Sequence, residues 1–187
     1  MSEVRLIIIG LTGPNAAGKG EVAARLIAAG FAYHSLSDVL RDELESAGVA
    51  PTRENLIAKG NALRAEHGAG VLAERVRTRL GTRDIVDSIR NPAEVAALRQ
   101  ERGFVLVGVD APQEVRFQRA CGRARPGDAL TIEEFQSKEV RENSPDPKEQ
   151  QLSRTWALAD QVLRNDGSLQ ALHDAVDAML RRLSTQR

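Results

Sequence analysis

The chain has 187 residues, 42% hydrophobic and 28% charged, with 26 Lys plus Arg balancing 26 Asp plus Glu. That length suits one domain with a sizeable core, and the zero formal charge offers no net basicity toward nucleic acid or a membrane, so neither partner is expected. The single cysteine, Cys121, excludes an internal disulfide and fits a reducing compartment, which makes the cytoplasm the expected location.

The first apolar run, Val4–Ile9, reads as a buried strand, and the apolar stretch before Thr12 is too short for a signal-peptide core or a membrane span. Behind it stand Gly13, Pro14, Asn15, Ala16, Ala17, Gly18, Lys19, Gly20 and Glu21, the last four opening a helical pattern over Gly18–Ala29. A strand, a loop of small residues and a helix in this order form a phosphate-binding loop. Small residues let backbone N–H groups turn inward, the helix aims its positive dipole end at the anion, and Lys19 adds a full charge. Gly20 occupies the position where such loops usually carry a Ser or Thr hydroxyl on magnesium, so no direct hydroxyl ligand is available there.

Further strands are expected at Phe31–Ser35, Asp84–Ile89, Phe104–Val109 and Gln161–Arg164. Helices are expected at Leu36–Ala47, Arg53–Glu66, Gly70–Leu80, Pro92–Glu101, Pro112–Cys121 and Leu169–Leu183, with Pro92 and Pro112 at helix starts, where a missing N–H is tolerated. The alternation predicts an α/β fold, a five-stranded parallel sheet with helices on both faces. Two stretches interrupt it. Residues 36–80 carry three helical patterns with no strand between them, and residues 122–151 are polar and broken by Pro126, Pro145 and Pro147. Insertions over the carboxyl edge of such a sheet are where substrate sites and lids are built.

The segment from Ser35 to Arg41 caps a helix with Ser37 and Asp38 in its first turn, and Arg41 can reach an anion over that end. Asn61, Arg64 and His67 lie near helical spacing and could line the same pocket. Asp87, at the end of a buried strand, needs a cation nearby to offset its desolvation, and Arg90 follows with two residues between. The arginine-rich run supplies Arg116, Arg119, Arg123 and Arg125, continuing to Lys138 and Arg141; mobile guanidinium groups of this kind can stabilise a transferring phosphoryl group. For Arg116 and Arg125 a solvated helix face is the preferred reading. Asn165-Asp166-Gly167-Ser168 is a turn leading into the last helix.

Taken together and in order, these segments resemble the adenylate kinase-like group of nucleoside monophosphate kinases. The likeness is strongest to its small archaeal-type, adenylate kinase-related and dephospho-CoA kinase-like members, although adenylate kinases usually carry Thr where this chain has Glu21. The resemblance implies a single three-layer P-loop domain over residues 1–187, with an acceptor-binding helical insertion at 36–80 and a lid at 122–151. It further implies ATP as donor with Mg2+ as cofactor, and a nucleoside monophosphate as acceptor. ATP would be held by residues 13–21 with Arg119, Asn165 and Gly167; the acceptor by Ser37, Asp38, Arg41, Arg64 and Arg90; the metal by Asp87 through water. Lys19, Arg123 and Arg141 would be catalytic. Two alternatives stay open: a dephospho-CoA kinase, with Asp38 or Asp87 as base for a ribose hydroxyl, and a nucleotide-binding regulatory ATPase without kinase activity.

Overall fold

The computed structural model describes residues 6–123 and 131–185. Five parallel strands, β1 (Ile7–Thr12), β2 (Ala32–Ser35), β3 (Arg83–Asp87), β4 (Phe104–Asp110) and β5 (Gln161–Arg164), lie in the order β2-β3-β1-β4-β5. Every residue of β1 is buried, as a central strand covered on both faces requires. Its side chains divide by the two-residue period of a strand. Ile7, Ile9 and Leu11 pack with Val22 and Leu26 of α1 (Lys19–Ala28) and with Leu172, Val176 and Met179 of α9 (Leu169–Thr185). Ile8 lies on the opposite face, in a core with residues of α2 (Leu36–Ser46), α3 (Arg53–His67), α4 (Val71–Arg77) and α5 (Pro92–Leu98). The expected sheet with helices on both faces is therefore present.

β1 ends later than the sequence implies, at Thr12 rather than Ile9. Gly10 does not terminate it; a Cβ there would lie 2.7 Å from the Ile89 and Phe104 side chains, so the glycine permits a close approach inside the strand. β3 stops at Asp87 rather than Ile89 because Ser88 takes a left-handed φ of 67°. The chain then passes to α5, whose start carries a capping box between Asn91 and Glu94.

Gly13 turns the chain out of β1 at φ 135°, and a Cβ on it would meet the Val109 carbonyl oxygen at 2.1 Å. Neither atom belongs to a flexible side chain, so Gly13→Ala is expected to cost at least about 3 kcal/mol. A urea midpoint shifted by that amount at unchanged slope checks it; a shift below about 1 kcal/mol would mean that the loop can move aside.

The 36–80 insertion is built from α2, α3 and α4. In the 122–151 stretch the structure adds a helix that the sequence hides, α7 (Ile132–Arg141), capped by Thr131. Phe135, 2% exposed, anchors it edge-on to Phe117 of α6 (Gln113–Arg123), beside Ala120. After α7, residues 142–151 are fastened to the exit of β3: Gln151 N donates to Arg90 O, and Asn91 Nδ2 donates to Pro147 O and Glu149 O. The short α8 (Leu152–Trp156), also unexpected, leads back to β5. Arg125 and Pro126 lie outside the described residues. Among the described residues no helix is long and apolar enough to cross a membrane.

Candidate active site

The carboxyl ends of β1 and β3 open into a cavity of about 800 Å³, beside the point where the strand order reverses around β1. One wall is the phosphate-binding loop. Ala16, at φ 59°, and Gly18, at φ 104°, curl it into the left-handed turns of an anion nest. The turn directly after β5 locks it in place: Asn165 Nδ2 donates to Ala17 O at 2.9 Å, so close that a Cβ on Gly18 would lie 2.0 Å from that nitrogen. Lys19 Nζ donates to Gly13 O and Pro14 O at 2.6 and 2.9 Å. Burial, followed by the charge of Arg90, lowers its pKa from 10.5 to about 8, against the opposing pull of Asp87 and Glu142.

The cavity is lined by two groups of cations. Lys19, Arg119 and Arg123 belong to the loop side: Arg119 Nη2 donates to Asn165 O at 3.0 Å, and Arg123 Nη2 to Asn15 Oδ1 at 2.9 Å. Arg119 Nη1 is buried, with no hydrogen-bond partner among the described residues. Arg41, Arg53 and Arg90 form the second group. Arg41 pairs with Asp38 at the surface, 2.6 Å away, while Arg53 and Arg90 converge on one oxygen, Oε1 of Glu142. Glu142 is 1% exposed; burial pushes its carboxyl up, but the charges of Arg90 and Arg53 outweigh that and hold it below the usual carboxylate range.

Asp87 ends β3 in the same cavity, with Oδ2 accepting from Tyr33 Oη at 3.0 Å and Oδ1 from the Ser88 N–H. Ser35 and Ser37 donate to Ser88 Oγ beside it.

The structure thus brings most of the sequence candidates together, residues 15–21, Ser37, Arg41, Asp87, Arg90, Arg119, Arg123, Asn165 and Gly167 among them. Gly13 and Pro14 support the loop from behind, and Asp38 lies outside the lining as the partner of Arg41. Arg64 reaches the wall, but its guanidinium is 2% exposed and bound to the fully buried Glu94 at 2.8 Å. Glu94 in turn accepts the N–H groups of Arg90 and Asn91, so Arg64 braces the β3 exit. Arg141 is not brought to the cavity; it sits exposed at the end of α7. Arg116 corrects the expectation of a solvated helix face: it is 7% exposed, pairs with Glu139 of α7 and donates to Ala111 O at 2.9 Å. Arg53, Glu142 and Gln150 carry no local motif, and only the fold reveals them as lining residues.

No known family profile matches the chain. It is, however, 33% identical to a UPF0200 protein of Hyperthermus butylicus, with all of both chains covered, and 36% identical to one of Halobacterium salinarum, with 92% of each covered. The chain belongs to the UPF0200 family. Solved structures give this UPF0200 fold a wider setting. TT1252 from Thermus thermophilus superposes with a TM-score of 0.61 at 25% identity, covering 96% of this chain and 98% of that one. A shikimate kinase from Bacteroides thetaiotaomicron gives 0.61 at 13% identity, over 95% and 98%, and a gluconokinase from Sinorhizobium meliloti 0.56 at 17%, over 97% and 94%. These last two share the fold, that of P-loop kinases.

Proposed function

We propose that the protein is an ATP-dependent, magnesium-requiring kinase that transfers the γ-phosphoryl group to a nucleoside monophosphate. The observation that carries this reading is the second cation group, Arg41, Arg53 and Arg90, in the same cavity as Lys19. One phosphate-binding loop explains a donor; a separate set of arginines calls for an acceptor that is itself anionic. Such an acceptor needs no strong base, so positioning and charge stabilisation carry the reaction. For the metal, Asp87 is the carboxylate at hand near Lys19, and among the described residues no cluster of three or more metal-ligating side chains exists. That donor set fits a magnesium ion carried mainly on phosphate oxygens and water, with Asp87 as its outer partner. When bound, the ion would neutralise charge on the donor phosphates.

An acceptor screen with ATP, read by product formation, tests the reading. Arg41→Ala and Arg90→Ala are each expected to weaken acceptor binding by about tenfold or more while changing ATP affinity much less. Equal losses for donor and acceptor would mean the second group does not bind the acceptor.

The Asp87 carboxylate supports a second reading, transfer to a hydroxyl as in dephospho-CoA kinases, with Asp87 as the base. Including dephospho-CoA in the screen separates the two, and ADP formation that ignores every acceptor would instead mark a regulatory ATPase.

A further inference from the structure

Two buried oxygens on residues that line the cavity lack a hydrogen-bond partner among the described residues. Glu142 and Gln150, 1% and 8% exposed, both line the cavity, and Oε2 of Glu142 and Oε1 of Gln150 are buried with no donor among the described residues. Buried acceptors left unpaired are costly and rare, so a pair of them on residues that line one cavity points to a ligand that completes them. Neither position is loose. Arg53 and Arg90 clamp Oε1 of Glu142, the Glu142 carbonyl accepts Leu152 N at 3.0 Å, and the Gln150 carbonyl accepts Ser144 N at 2.8 Å. Asn91 ties the intervening residues to the β3 exit.

We propose that Glu142 and Gln150 form a hydrogen-bond-accepting subsite that selects the acceptor by a hydroxyl or amino hydrogen. The proposal rests on the nucleoside monophosphate reading. A carboxylate repels phosphate, so this wall takes the neutral part of the acceptor, while Arg90 and Arg53, bound to the same carboxylate, keep the anionic part beside it. In a nucleoside monophosphate the hydrogen comes from an exocyclic amino group of the base or from a ribose hydroxyl.

The test uses acceptor pairs that differ by one donor group: AMP against purine riboside monophosphate, CMP against pyrimidin-2-one riboside monophosphate, and each ribonucleotide against its 2′-deoxy and 3′-deoxy forms. Affinities are measured by calorimetry for the wild type, Glu142→Gln and Gln150→Leu. In Glu142→Gln the amide oxygen takes the place facing the two arginines, and the NH2 turns the free acceptor into a donor. Both members of a pair carry the same phosphate, so the change in charge cancels in their ratio.

The wild type is expected to prefer the donor-bearing member of at least one pair by about tenfold or more, and both variants to bring that ratio close to one. The base pairs and the sugar pairs distinguish the two sources of the hydrogen. Gln150→Leu leaves the ion pairs of Glu142 intact, so it remains informative if Glu142→Gln melts early. No preference in the wild type, or a preference that survives in both variants, overturns the subsite while leaving the acceptor class standing. If no monophosphate binds the wild type, the acceptor reading fails and the subsite falls with it.

Discussion

Replacing Lys19 with Met is expected to abolish phosphoryl transfer and, at neutral pH, to make the nucleotide-free protein more stable. The ammonium group is the loop's full positive charge, and its loss should lower turnover by at least about a thousandfold. The stability effect has the opposite sign. With a pKa of about 8 in the fold against 10.5 for the free side chain, the unfolded chain holds this proton more tightly than the native one. Carrying the charge therefore costs about 3 kcal/mol below pH 8, and the cost fades as pH rises toward 10.5. Two hydrogen bonds, to Gly13 O and Pro14 O, are lost with the amine and offset part of the gain. A net stabilisation of roughly 1–2 kcal/mol at pH 7, shrinking by about pH 10, is the expected result in urea titrations. On the proposed reading ATP would bring negative charge beside Lys19, so its binding to the wild type near pH 8.5 should take up protons, measurable in buffers of different ionisation enthalpy. A variant that retains turnover would remove the central claim; one destabilised equally at pH 7 and 10 would refute the electrostatic account.

The second large effect is expected at Arg123. It occupies the last turn of α6, with Nη2 on the Asn15 side chain of the loop, where donor phosphates would lie. A guanidinium there can follow charge as it spreads over the transferring group, so Arg123→Ala should lower turnover by about a hundredfold or more while changing ATP affinity far less. Turnover and ATP dissociation constant, measured side by side, decide this; near-normal turnover would send the search to Arg119. Arg141→Ala is the informative companion. From its exposed place outside the cavity Arg141 can act only if α7 moves over the site, so a loss matching that of Arg123→Ala would report closure.

Strands and the phosphate-binding loop were legible because each is a local signal: an apolar run bounded by turn residues, or small residues between a strand and a helix. Ser88 was not, since a left-handed serine leaves no trace in composition, and β3 ends two residues early for that reason. The 122–151 stretch reads as a polar, proline-broken lid, and α7 within it is hidden because it has no broad apolar stripe; one phenylalanine, Phe135, docked on Phe117 does the anchoring. Remote partners of charged residues leave no local signal. Arg116 reads as solvated until Glu139 is folded against it, and the pairing of Arg64, which lines the cavity, with Glu94 emerges only when α5 is in place. Arg53 and Glu142 are 89 residues apart, and no spacing rule could have joined them.

The bond from Asn165 to the Ala17 carbonyl spans 148 residues and connects the first loop of the chain to nearly its last strand. The phosphate nest is therefore encoded at the N-terminus but finished close to the C-terminus. During synthesis the glycine-rich loop leaves the ribosome early, yet the Asn165 bond to its Ala17 carbonyl can form only after β5 has emerged. On the proposed reading, a polypeptide broken off before residue 165 would carry the loop motif without the Asn165 bond that holds it, and is expected to bind ATP more weakly than the whole chain.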